Sequence, residues 1–158
     1  IGALLHRQID SFTDSHEKFR SAKRIASPIF NHYSGVLIDM FFDYFLAKKW
    51  NEQNPTHLTE HISTIYRSGS ENILILPERF KPVLPIMIKH DWLSKYSNHD
   101  GLENILTQMT NRINNKVLLY KGVELLIKHE NQLEDLFNEF WTSITSEFDT
   151  FPEEQLTL

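Results

Sequence analysis

The chain is expected to fold as an all-α, single-domain helical bundle, and three observations carry that expectation. Apolar residues recur at three- and four-residue intervals along nearly the whole sequence, the spacing that gives a helix one apolar face. Only Ile73-Leu-Ile-Leu76 has the pattern of a short strand, and Pro77 interrupts it. The breaks between apolar runs are polar or contain proline or glycine, as at Asn51-Glu-Gln-Asn-Pro55.

Ile1 to Phe12 forms a first helix that ends near Thr13-Asp14. Ser15 is placed to cap a second, which runs to about Phe30 with Pro28 bending or closing it. A third covers about Ser34 to Trp50. Thr56 can cap a fourth to about Arg67, and Ser68-Gly-Ser70 starts the next segment. Arg79 to Tyr96 carries Pro82 and Pro85 and is expected to be helical after them. Gly101 to Asn114 is amphipathic, and a pair of helices or a single long one covers about Val117 to Phe148. No internal repeat, low-complexity tract or linker is visible, so residues 1–150 read as one domain and 151–158 as a frayed tail. The sequence opens on Ile1 in the middle of a helical pattern, so a preceding helix is expected to be missing from it.

A chain of 158 residues with 41% hydrophobic content can bury a sizeable core. The lack of cysteine excludes disulfides, thiolate metal sites and a cysteine nucleophile, and points to a reducing cytoplasm. No apolar run approaches the ~20 residues of a membrane span, and no basic, cleavable signal segment opens the chain. A net charge of −5 argues against nucleic acid as the main partner. An acidic protein partner would need a local basic patch. There is no glycine-rich phosphate loop, no serine-centred nucleophile elbow and no HExxH pair.

The most apolar stretch, Val36-Leu-Ile-Asp-Met-Phe-Phe-Asp-Tyr-Phe-Leu-Ala47, carries two charges, Asp39 and Asp43. On a helix their i,i+4 spacing puts them on one face with Val36, Leu46 and Trp50, and that face is expected to be buried. Like charges so placed cost roughly 0.2–0.5 kcal/mol on an exposed helix, and a buried carboxylate costs several kcal/mol unless it is protonated, paired or metal-bound. A cation between the two answers both costs. Pairing with a buried Arg or Lys would do the same, but the stretch itself contains neither.

His6 and Asp10 repeat the i,i+4 arrangement on the first helix, beside small Gly2 and Ala3, where another backbone or a ligand can come close. Imidazole with carboxylates suits Mn²⁺, Fe²⁺ or Mg²⁺, although a lone His is more commonly a hydrogen-bonded structural residue. Arg7, Lys18, Arg20, Lys23 and Arg24 form a basic cluster, in which Arg20, Lys23 and Arg24 share a face. Its default reading is a solvated face; its functional reading is a cradle for phosphate or an acidic protein. Asp14 and His16 flank a helix start, where capping is the plain reading. Phe41, Phe42, Phe45, Trp50, Trp92, Phe137, Phe140 and Trp141 read as core.

The run His6-Arg-Gln-Ile-Asp-Ser-Phe-Thr-Asp-Ser-His16, then Arg20, then Tyr33-Ser-Gly-Val-Leu-Ile-Asp-Met-Phe-Phe-Asp-Tyr-Phe-Leu-Ala-Lys-Lys-Trp50, resembles the signature of the acyl carrier protein phosphodiesterase family. Weaker similarity continues through Trp92-Leu-Ser-Lys-Tyr96, the Gly101 to Arg112 helix and Asn138-Glu-Phe-Trp141. The resemblance implies a cytoplasmic, all-helical bacterial enzyme, distantly similar to the HD-type metal phosphohydrolases. Such an enzyme would hydrolyse the phosphodiester joining 4′-phosphopantetheine to the serine of holo-acyl carrier protein, with Mn²⁺ expected and Mg²⁺ or Fe²⁺ as alternatives.

By the same resemblance His6 and Asp43 are metal ligands, and Asp10 and Asp39 are further ligands or the carboxylates that orient the attacking water. Arg7 and Arg20 face the phosphate, while Arg20, Lys23, Arg24, Asp14 and His16 contact the substrate. Two departures stand out: the family has a His directly after the second Asp, where this chain has Tyr44, and its members begin with a further helical stretch bearing a His and an Asp. Two other readings stay open. One is an HD-like phosphohydrolase of a nucleotide or other small phosphodiester. The other is a non-catalytic helical binding protein whose Asp39 and Asp43 are satisfied by arginines or water.

Overall fold

The computed structural model describes the backbone of residues 2–53, 56–76, 78, 81–114 and 116–148, and their side chains apart from those of 2–6 and 51–53. The expected frayed tail, 151–158, lies outside the described residues. Every regular element among the described residues is a helix, and no strand occurs, as the apolar periodicity predicts. The helices are α1 (Gly2–Ser15), α2 (Glu17–Phe30), α3 (Ser34–Gln53), α4 (Leu58–Glu71), α5 (Leu84–Lys89), α6 (Trp92–Lys95), α7 (His99–Arg112), α8 (Gly122–Lys128) and α9 (Glu130–Phe148). Short 3₁₀ turns occupy Asn31–Tyr33, Ile73–Ile75 and Leu119–Lys121, so Ile73-Leu-Ile75 coils instead of extending. No helix of the described residues is long and apolar enough to cross a membrane. The backbone divides into two compact units, the described residues within Ile1–Asp39 and Leu125–Leu158, and those within Met40–Glu124.

In the first unit α2 is the central element. Its buried positions, Phe19, Ala22, Ala26 and Phe30, follow the three- and four-residue steps of one helical face. They meet α9, which buries Leu133, Phe137 and Phe140. The small Ala22 and Ala26 let the two helices approach, and the rings of Phe19 and Phe140 lie 6.4 Å apart. Phe12 of α1 completes the cluster, 6.3 Å from Phe140 and edge-on to Phe148 at 5.8 Å. On the rim, Lys18 of α2 pairs with Glu139 of α9 at 2.6 Å. The start of α2 differs from expectation by one residue: His16 is the N-cap, its Nδ1 accepting the Lys18 N–H at 3.3 Å. Pro28 does not close the helix: α2 runs on to Phe30, with Pro28 on its exposed side. Closure comes at Asn31, whose N–H bonds the Ser27 carbonyl from a backbone at φ 48°.

In the second unit α4 packs on α5 and α6, and α6 packs on α7. Tyr66 of α4 ties this corner together: its hydroxyl accepts the Leu93 N–H at 2.9 Å and lies 3.4 Å from the Met87 carbonyl. Burial raises the Tyr66 pKa above its usual value, partly offset by the Leu93 N–H bond. Trp92 is buried, donates to Gln108 Oε1 at 3.2 Å and carries the Arg112 guanidinium over its ring. Leu102, Ile105 and Leu106 of α7 are fully buried. Ser68-Gly-Ser70 continues α4 instead of starting a new segment. Within it, Gly69 makes room for α5: the Leu84 side chain lies 3.1 Å from where a Cβ would stand.

Candidate active site

The third helix is apolar nearly all round, and its exposed stripe is the one bearing the charges. Leu37, Ile38, Met40, Phe41, Phe42, Tyr44, Phe45 and Ala47 are buried. Val36 (40% exposed), Asp39 and Asp43 face solvent, and Leu46 and Trp50 are half-buried. The five residues do share a face, but it is open and not buried. The physical reason is the cost of carboxylate desolvation, which assigns the charged stripe to water once the other faces supply the core.

Asp39 nevertheless stands in a crowded place. Its pKa is raised from 3.8 to about 6, first by partial desolvation, then by the Asp14 carboxylate, with Lys23 opposing and Asp10 adding to the rise. The residue is open to water on one side while neighbouring atoms strip hydration from its carboxylate. Thus the fold brings Asp10 and Asp14 from α1, Lys23 from α2 and Asp39 from α3 within electrostatic reach. Asp10 and Asp14 are exposed, as is Arg7.

Next to this acidic group lies a basic recess. Arg20, Lys23, Arg24, Ser27, Asn31 and Ser34 line a cavity of about 250 Å³. Arg20 is held by its Nε, which donates to the Asp14 carbonyl at 3.1 Å, and Arg24 by an Nη2 bond to Ser21 Oγ at 2.8 Å. The Lys23 ammonium sits 5.8 Å from the Phe19 ring centre and 3.7 Å from where a Cβ of Gly35 would stand. The shared cationic face expected of α2 is present. The wall residues Ser27, Asn31 and Ser34 were not singled out from sequence, although positions 20, 24, 27, 31 and 34 step at helical intervals. His16 has a structural task as well: besides capping α2, its ring packs 5.2 Å from Phe12 and, edge-on, 5.2 Å from Phe140.

Asp43 lines a different cavity, of about 200 Å³, built within the second unit. Leu46, Ala47, Ile62, Ile65 and Leu93 make its walls apolar, and Asp43, His61 and Tyr96 supply polar groups. Trp50 stacks on His61 with ring centres 4.3 Å apart and anchors its Nε1 on the Thr56 carbonyl at 2.9 Å. Tyr44 is buried and stacks on His99 at 5.1 Å, with Lys48 over its ring. At this position the phenol is a core residue.

For a metal, the donor chemistry is right and the gathering is partial. Carboxylates favour hard divalent cations, yet among the described residues no group of three or more His, Asp and Glu side chains could hold an ion. The side chain of His6 lies outside the described residues, so its predicted role as a ligand falls there too.

Sequence comparison matches residues 1–144 to the acyl carrier protein phosphodiesterase family. A protein named acyl carrier protein phosphodiesterase from Pectobacterium atrosepticum is 28% identical over 141 residues, 89% of this chain and 73% of its own length. Its namesake from Yersinia pestis is 24% identical over 144 residues, 90% of this chain and 75% of its own. The one from Enterobacter sp. is 26% identical over 144 residues, 89% and 73% respectively. No solved structure matches. With the match spanning every element from α1 into α9, the chain belongs to the acyl carrier protein phosphodiesterase family.

Proposed function

We propose that this chain hydrolyses the phosphodiester between 4′-phosphopantetheine and the serine of holo-acyl carrier protein, giving apo-acyl carrier protein. The observation that carries the reading is the family match over residues 1–144. In the reaction, water adds to phosphorus, the bond from phosphorus to the serine oxygen breaks, and the serine oxygen takes up a proton. Arg7 and Arg20 are the cations assigned to offset charge on the phosphoryl oxygens. Asp10 and Asp39 are the carboxylates assigned to orient the water, a task supported by their nearness to one another and to Lys23.

A divalent cation, Mn²⁺ with Mg²⁺ or Fe²⁺ as alternatives, is part of the proposal, with His6 and Asp43 the ligands that the resemblance assigns. Bound, it would lower the pKa of water toward neutrality. Arg20, Lys23 and Arg24 give an acidic carrier protein a place to dock, and so would raise the encounter rate. A cytoplasmic location belongs to the same reading and accords with the absence of cysteine.

The test is intact-mass spectrometry of holo-acyl carrier protein incubated with the protein, with and without Mn²⁺, beside Asp43→Ala. Metal-dependent loss of the phosphopantetheine mass, absent with Asp43→Ala, is the expected result. An unchanged carrier-protein mass, with the protein folded and metal added, would reject the proposed substrate.

A further inference from the structure

The recess at the end of α2 is more than a charged face. Three cationic side chains, Arg20, Lys23 and Arg24, converge with three neutral hydrogen-bonding residues, Ser27, Asn31 and Ser34, on a cavity of about 250 Å³. A water takes up about 30 Å³, so there is room for a phosphoryl group with several waters, but not for a helix of a protein partner. None of the three cations is in an ion pair among the described residues. Each arginine spends one N–H on a fixed neutral partner, the Asp14 carbonyl or Ser21 Oγ, which orients the guanidinium and leaves its other donors available. The Lys23 ammonium end, Nζ and Cε, passes close to Gly35, which has no side chain to displace it.

The backbone of Asn31 points the same way. At φ 48°, ψ −124° it occupies a region that glycine enters easily and other residues at a cost. Closing α2 needs only the backbone at this position, so glycine would serve the turn better. The asparagine side chain on the recess wall is what glycine would lose.

We propose that this recess is a binding pocket for a phosphate monoester dianion. Its preference follows from charge: three cations favour a doubly charged monoester over a singly charged diester. Resting on the phosphodiesterase reading, the occupant is the released 4′-phosphopantetheine, because hydrolysis turns the diester monoanion of the substrate into a monoester. The pocket then makes the enzyme sensitive to its own product and to phosphate.

The experiment is isothermal titration of the full chain with inorganic phosphate, and separately with dimethyl phosphate, for the wild type, Lys23→Gln, Arg24→Gln and Asn31→Gly. Saturable phosphate binding is expected, with dimethyl phosphate weaker by about tenfold or more and each charge-removing variant weaker by about tenfold, as for loss of one charge-assisted hydrogen bond. Asn31→Gly guards against a folding artefact: it is expected to melt at a higher temperature than the wild type while binding phosphate more weakly. No saturable phosphate binding, or equal affinity in wild type and variants, overturns the pocket. Phosphate binding with no turnover of holo-acyl carrier protein leaves the pocket standing and rejects the phosphodiesterase reading. Turnover with no phosphate binding does the reverse.

Discussion

Asp39 is a side chain whose environment departs far from its ordinary chemistry. In the folded chain it keeps its proton to about pH 6, whereas an unfolded aspartate loses it near 3.8. The folded state therefore binds more protons between those values. The stability tied to this group is present in full below the lower value and is lost as pH rises through the upper one. Unscreened, the shift corresponds to about 3 kcal/mol. The side chain is open to water, which brings the expected effect down to about 1 kcal/mol. Asp39→Asn should therefore raise the melting temperature at pH 7.5 by about 2–4 °C, and the difference from wild type should close below about pH 4. A lower melting temperature for Asp39→Asn at pH 7.5 would mean that Lys23 holds the charge more strongly than its surroundings penalise it. Mn²⁺ tests the same position without a mutation: if Asp39 serves a cation, added metal should raise the wild-type melting temperature and leave Asp39→Asn unmoved. The sequence marked Asp39 through its spacing to Asp43, but not its exposure. A helix that is apolar on every other face has no periodic contrast to say which stripe meets solvent.

The junction of α6 and α7 shows how a helix start is decided by packing as much as by propensity. Gly101 stands in the first turn of α7, and a Cβ there would run into the Lys95 backbone carbonyl. Asn98 caps the same turn, its Oδ1 accepting the Gly101 N–H at 2.8 Å. Gly101→Ala gains about 1 kcal/mol of helix propensity, but the overlap is with backbone that cannot rotate away. The net expectation is a loss of about 1–3 kcal/mol, read as a lower urea midpoint. Asn98→Ala, which removes only the cap, should cost about 1 kcal/mol. Stabilisation by Gly101→Ala would show that the α6–α7 junction can yield. Sequence reading finds the amphipathic body of α7 and misplaces its start, because the cap Asn98 lies three residues before Gly101, where the expected helix begins. It likewise ran Arg79 to Tyr96 together, where left-handed Asp91 (φ 46°) separates α5 from α6. Such breaks depend on one backbone dihedral, and aspartate at a helix end does not announce it.

Taken over the whole chain, charge is distributed against its average. The net charge is −5, yet Arg20, Lys23 and Arg24 converge on one recess. An acidic macromolecular substrate would be repelled by the average and drawn by the patch, so ionic strength separates the two contributions. With holo-acyl carrier protein as substrate, kcat/KM should fall as salt rises across the range where screening shortens from about 30 Å to about 8 Å. The double variant Arg20→Glu, Arg24→Glu should lose about tenfold or more at low salt and show a flattened or inverted salt dependence. An unchanged salt slope in that variant would place docking elsewhere on the chain. The row of cations was legible in the sequence because i,i+3 and i,i+4 steps survive folding as a face. Its concavity was not, because Ser27, Asn31 and Ser34 become a wall only where α2 ends and the chain turns into α3. That difference is physical: within a helix, spacing alone sets neighbours, whereas across a turn neighbours depend on dihedrals such as the φ of Asn31. A flat row would serve only to steer a partner, and a recess can also hold a ligand. Salt dependence of turnover and saturable phosphate binding therefore probe two separable properties of the same three cations.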